Sequence, residues 1–102
     1  MKELELFEKI GNQLNEVKLS KMFGKPCLKI NKKAFACFHD NAMVFKLEGA
    51  THNIALAYDG AKLFDPSNKG RPMKEWVQVP YSNSKKWESL ANEAKNYVES
   101  LQ

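Results

Sequence analysis

The hydrophobic patterning predicts an α+β fold: a two-layer sandwich in which an antiparallel sheet of about five to six strands carries N-terminal, short middle and C-terminal helices on one face. Three observations predict it. Apolar residues recur at helical spacing near the two ends of the chain. Between them lie short aliphatic and aromatic runs, separated by brief segments of Asn, Asp, Gly, Pro and Lys, as consecutive hairpins require. A length of 102 residues suits a single domain over residues 1–102, long enough to bury a core without disulfides or metal.

The elements follow in order. From Glu3 to Val17, Phe7, Ile10, Leu14 and Val17 step by three and four, with Leu4 and Leu6 flanking them, which marks one face of an amphipathic helix. Gly11 inside it costs about 1 kcal/mol relative to alanine, yet the periodicity survives. KLSKMF, CLKIN, AFACFH and MVFKL read as four strands, separated by Gly24-Lys25-Pro26, Asn31-Lys32-Lys33 and Asp40-Asn41. GATHNIALAY reads as a short helix, with Thr51 a candidate N-cap and Asp59-Gly60 at its end. AKLF and EWVQV form a last strand pair joined by the loop DPSNKGRPMK; Pro80 closes the final strand because it has no N–H for a ladder. Trp87, Leu90, Ala94, Tyr97 and Leu101, widened by Ala91 and Val98, define a C-terminal helix over residues 84–101, with Ser82, Asn83 and Ser84 as candidate N-caps.

Alternation sorts the strand side chains. Leu28, Ile30, Met43, Phe45, Leu47, Val77 and Val79 share one face, while Lys29, Lys46, Trp76 and Gln78 lie on the other. With helices on the first face, the second is expected to be open. Trp76 there can fill a gap at the sheet edge, stack on a base, or anchor a protein partner.

Composition and motifs narrow the function. Hydrophobic residues make up 43% and charged residues 27%, a globular rather than a disordered balance. No run approaches the ~18 apolar residues of a membrane helix, and the acidic, amphipathic start lacks the apolar region of a signal peptide, so a cytoplasmic protein with no membrane partner is expected. Cys27 and Cys37 match no zinc or CxxC pattern and are expected to be reduced, buried small hydrophobes. His39-Asp40 is the only adjacent His–acid pair and falls at a turn; His52 has no acidic neighbour. Asp59 and Asp65 sit in turn-forming Asp-Gly and Asp-Pro steps, and no GxGxxG or phosphate loop occurs. A non-enzymatic protein is expected, with no metal, no cofactor and no small-molecule substrate.

Charge is unevenly placed. Net charge is +4, and residues 18–46 hold lysines at 18, 21, 25, 29, 32, 33 and 46 against Asp40 alone. A second group comprises Lys62, Lys69, Arg71, Lys74, Lys85 and Lys86. Such asymmetry attracts polyanions, although lysines also solubilise hairpins and blunt strand edges.

The run Lys21-Met22-Phe23-Gly24, a hairpin ending Lys33-Ala34-Phe35-Ala36, and Met43-Val44-Phe45-Lys46-Leu47 resemble the TfoX N-terminal domain family. Ala61-Lys62-Leu63-Phe64-Asp65-Pro66, Gly70-Arg71-Pro72-Met73-Lys74-Glu75-Trp76-Val77 and the closing helix resemble its small stand-alone members; MmcQ/YjbR-like proteins share the general pattern. The resemblance implies a fold similar to that of type III secretion chaperones, a double-wing shape associated with DNA binding, and a role in transcription or competence regulation.

Two function classes follow. In the first, the chain binds nucleic acid weakly and without sequence preference, through Lys29, Lys32, Lys33, Lys46, Lys69, Arg71, Lys74 and Trp76; Arg71 is its sole arginine, so bidentate guanine readout is scarce. In the second, the open face around Trp76 engages a protein partner or a second copy in a homodimer.

Overall fold

The computed structural model describes residues 2–22, 24–67 and 69–101; Phe23 of the expected first strand and Asn68 of the expected loop lie outside them. In chain order the elements are α1 (Lys2–Gln13), β1 (Val17–Met22), β2 (Lys25–Ile30), β3 (Lys33–His39), β4 (Ala42–Lys46), α2 (Gly49–Leu56), β5 (Lys62–Phe64), β6 (Met73–Pro80), a 3₁₀ turn (Tyr81–Lys86) and α3 (Trp87–Ser100). The strands form one antiparallel sheet in the order β1-β2-β3-β4-β6-β5. This is the expected α+β architecture. No helix among the described residues is long and apolar enough to cross a membrane.

Turn chemistry sets the register of the central hairpins. Asn31 and Lys32 have φ of 51° and 70°, and Asp40 and Asn41 have 55° and 59°. Two successive positive φ values make a type I′ turn, whose twist matches that of the strands it joins. Lys25 and Pro26, expected in a turn, instead open β2 opposite Met22 and Lys21; a proline is tolerated at the start of a strand.

One bulge reorganises the core. Leu28 pairs with Ala36 while Lys29 pairs with Ala34, so Phe35 has no partner on β2. Phe35 and Ala36 both join the core cluster beneath the helices, with Phe7, Leu28, Phe45 and Trp87. Gly11 belongs to the same contact. A Cβ there would stand 2.5 Å from Leu28 Cδ2, so the glycine lets α1 sit close on β2.

Element ends depart from expectation for identifiable reasons. Helix α1 stops at Gln13, Glu16 turns the chain at φ 64°, and Val17 reaches the core from a strand opposite Ile30. Helix α2 begins at Gly49 (φ 62°), ahead of Thr51. Ser82, Asn83 and Ser84 lie in the 3₁₀ turn rather than capping α3, and the Asn83 side-chain amide donates to the Asp59 carbonyl at 2.8 Å. The Trp87 indole N–H donates to the Val79 carbonyl at 3.2 Å, fastening α3 to β6. Leu101 lies past the end of α3 and is exposed.

Lys32 occupies a left-handed position that glycine fills without strain. Lys32→Gly should therefore raise stability by about 1 kcal/mol and Tm by roughly 5 °C, measured by thermal unfolding followed by circular dichroism.

Candidate functional site

The face turned away from the helices is built from Lys18, Ser20 and Met22 of β1, Cys27 and Lys29 of β2, Ala34, Cys37 and His39 of β3, Val44 and Lys46 of β4, and Trp76 and Gln78 of β6. Its centre is not open. Cys27, Cys37, Val44, Phe64 and Trp76 form a second buried cluster, with Met22, Ala34 and Met73 packed against it. Trp76 is only 7% exposed and Gln78 is buried beside it. Of the three roles open to Trp76, gap-filling is the one that this burial fits: the indole fills a core.

Sheet curvature explains the closure. β3 and β5 are three strand positions apart, about 14 Å in a flat sheet. Yet the His39 and Phe64 rings approach to 5.3 Å, edge to face. The β5 edge therefore folds over the second face. The β5–β6 pairing jumps from Leu63↔Val77 to Phe64↔Met73, which leaves residues 74–76 of β6 unopposed by β5. That irregularity lets Phe64 and Met73 seal the cluster.

The loop after β5 follows the same fold-back. The Asp65 carboxylate accepts from the Gly70 N–H at 2.9 Å and the Ser67 hydroxyl at 3.1 Å. Asp65, Pro66, Gly70 and Pro72 line a cleft of about 720 Å³ with His39, Asp40, Lys62 and Gln78. His39 and Asp40 lie at the far end of β3 from Lys32 and Lys33. The loop that carries Lys69 and Arg71 therefore lies toward the His39 end of the sheet, away from Lys32 and Lys33. Lys69, Arg71 and Lys74 are exposed; Lys74 lies past the Lys46↔Trp76 pair, at the end of the sheet where β3 starts, and its carbonyl meets His52 Nε2 at 2.8 Å. Lys46 is engaged: it lies 3.9 Å from Glu75, which also accepts the Tyr97 hydroxyl at 2.6 Å.

The structure does gather one basic site. Lys18 and Lys29 stand directly opposite each other on β1 and β2. They line a cleft of about 590 Å³ with Lys32, Asn31, Ser20, Leu19 and Glu16. Lys33 is exposed next to Lys32 at the start of β3. Charge pattern alone does not single out Lys18, although the strand register does. Pairing outward from Met22 and Lys25 brings 18 opposite 29. Among the described residues, no group of three or more His, Cys, Asp or Glu side chains is arranged to hold a metal ion.

Comparison with family models and with characterised proteins returned no match for this chain.

Because Trp76 is core, Trp76→Ala should lower stability by about 3–5 kcal/mol, read by urea unfolding; a surface tryptophan would cost far less. His39 gives a pH test. Burial, with Lys25 next and Lys62 adding, lowers its pKa below 6.5, and Asp40 only partly opposes them. The unfolded chain then binds the proton more tightly. The His39 contribution is intact above pH 6.5 and lost as pH falls below that value toward the folded pKa. His39→Gln should flatten the fall in unfolding free energy in that window.

Proposed function

We propose that the chain is a stand-alone, non-enzymatic TfoX N-terminal-like module that holds a nucleic-acid backbone, without reading its sequence, in the Lys18/Lys29/Lys32 cleft. The observation that carries this reading is the register pair Lys18↔Lys29. Like charges directly opposite on neighbouring strands destabilise a sheet, and a bound polyanion relieves that repulsion. Lys32 adds a second strain at the same cleft, a lysine at φ 70° where glycine costs nothing. Among the described residues, Glu16 is the only acid lining it.

Three ammonium groups act as point charges on phosphates and lack the fork with which arginine reads guanine. Binding is therefore driven by counterion release. The resemblance to the TfoX N-terminal family connects such contact with transcription or competence regulation.

Fluorescence anisotropy with a labelled mixed-sequence duplex tests the proposal. With three phosphates neutralised, log K should fall with log salt at a slope of about −3, or roughly 40-fold between about 50 and 200 mM salt. Lys18→Glu, Lys29→Glu and Lys32→Glu together should abolish binding, while Lys69→Glu, Arg71→Glu and Lys74→Glu together should leave most of it. Equal affinity of the first triple variant and the wild type would refute the cleft. No binding by the wild type at low salt would favour the protein-partner reading instead, relocated from Trp76 to the β1 edge, where Leu19 is 48% exposed among lysines that suit an acidic extended peptide.

A further inference from the structure

Cys27 and Cys37 lie outside the cleft. They are direct partners in the β2–β3 pairing, and neither has any solvent exposure. The hydrogen-bonding phase of that pairing can be counted from the neighbouring turn. The two-residue turn at Asp40-Asn41 makes His39↔Ala42 a hydrogen-bonded pair, Phe38↔Met43 a non-hydrogen-bonded pair, and Cys37↔Val44 hydrogen-bonded again. The Cys37 backbone groups thus point to β4. Its pairing with Cys27 is non-hydrogen-bonded, the phase in which Cα atoms approach to about 4.5 Å and side chains stand closest. Disulfides span Cα separations of about 4.4–6.8 Å.

The geometry points to a modification site: Cys27 and Cys37 form an intramolecular cross-strand disulfide when a peroxide supplies the oxidising equivalents. The Cys27 thiol, once deprotonated, attacks a peroxide oxygen. The O–O bond breaks, the departing hydroxide takes up the proton as water, and Cys27 becomes a sulfenic acid. The Cys37 sulfur then attacks the Cys27 sulfur, the S–OH bond breaks, and a second water leaves with the Cys37 proton. Two thiols and one hydrogen peroxide become one disulfide and two waters, with two electrons passing from sulfur to oxygen.

The order of the steps follows from the surroundings. Both thiols are raised by burial, but Lys29 on the same face lowers Cys27 in part. Cys37 is pushed up to about 12 by burial and by the charge of Cys27, with Lys25 only partly opposing them. Cys27 is therefore the attacking thiol and Cys37 the resolving one. Shielding makes the reaction slow, at the pace of local opening of the cluster, and faster as pH rises.

The test uses the wild-type chain under native conditions with graded hydrogen peroxide, then thiol blocking after denaturation and intact mass measurement. The expected product is a monomer that has lost two hydrogens and both titratable thiols, with a dithiol reductant restoring them. Its formation should change the fluorescence of Trp76, which shares the cluster, while Trp87→Phe removes the other indole. Cys37→Ala should accumulate a sulfenic acid at Cys27 that dimedone captures, and Cys27→Ala should capture much less. Successive oxygen additions without hydrogen loss, an intermolecular disulfide, or thiols that stay free in peroxide yet titrate after unfolding would each overturn the assignment.

Discussion

The constraint on which the rest of the structure depends is a sheet whose middle strands are apolar on both faces while its helices cover only one. β4 buries Met43 and Phe45 against the helical layer and Val44 against the opposite cluster. A flat sheet would leave the second set in water. At roughly 25 cal/mol per Å² of apolar surface, that exposure is too costly for a domain of this size. The sheet curls instead, and Phe64, Met73 and Trp76 supply the cover that a fourth helix would otherwise provide.

Closing the second face with its own side chains pushes charge to the rim. Lys18 and Lys29 lie beside β1, the outer strand, and Lys25 and Lys62 surround His39 at the opposite end. Lys46 is held by Glu75, and the hydrogen bond from Tyr97 to the same carboxylate is the main reason that the tyrosine pKa rises to about 12. That trio ties β4, β6 and α3 together at the surface. The exposed charge of this face therefore lies at the edge of the sheet rather than across its broad surface.

The architecture was legible because each element carries its own local signal: helical spacing in α1 and α3, alternation in β2, β4 and β6, and Asn or Asp at the turns. Alternation also placed Trp76 and Gln78 correctly opposite the helices. Alternation could not reveal their burial. It assigns a side, whereas burial of Trp76 depends on the β5 edge curling back over the second face toward β3 and on an irregular β5–β6 register that no local pattern encodes. The basic site was half legible for a similar reason. Lys29 and Lys32 stood out individually, but their association with Lys18 is a product of strand pairing. Nor does the spacing of Lys69 and Arg71 reveal that their loop folds back toward the His39 end, since Asp65 fixes that path through its contacts with Ser67 and Gly70.

The strand order has a consequence for how the chain assembles. β1 to β4 are joined by short turns, so their pairing closes small loops and costs little entropy. β6 must instead find β4 across a long excursion, with Pro80 coming to rest opposite Ala42. β5 meets the sheet only through β6, from which a shorter connection separates it, so the two can pair as a local hairpin before β6 reaches β4. Phe64, Met73 and Trp76 belong to that hairpin, whereas Cys27, Cys37 and Val44 belong to the β1–β4 meander. The second cluster is therefore complete only once the two halves of the chain have met along β4 and β6.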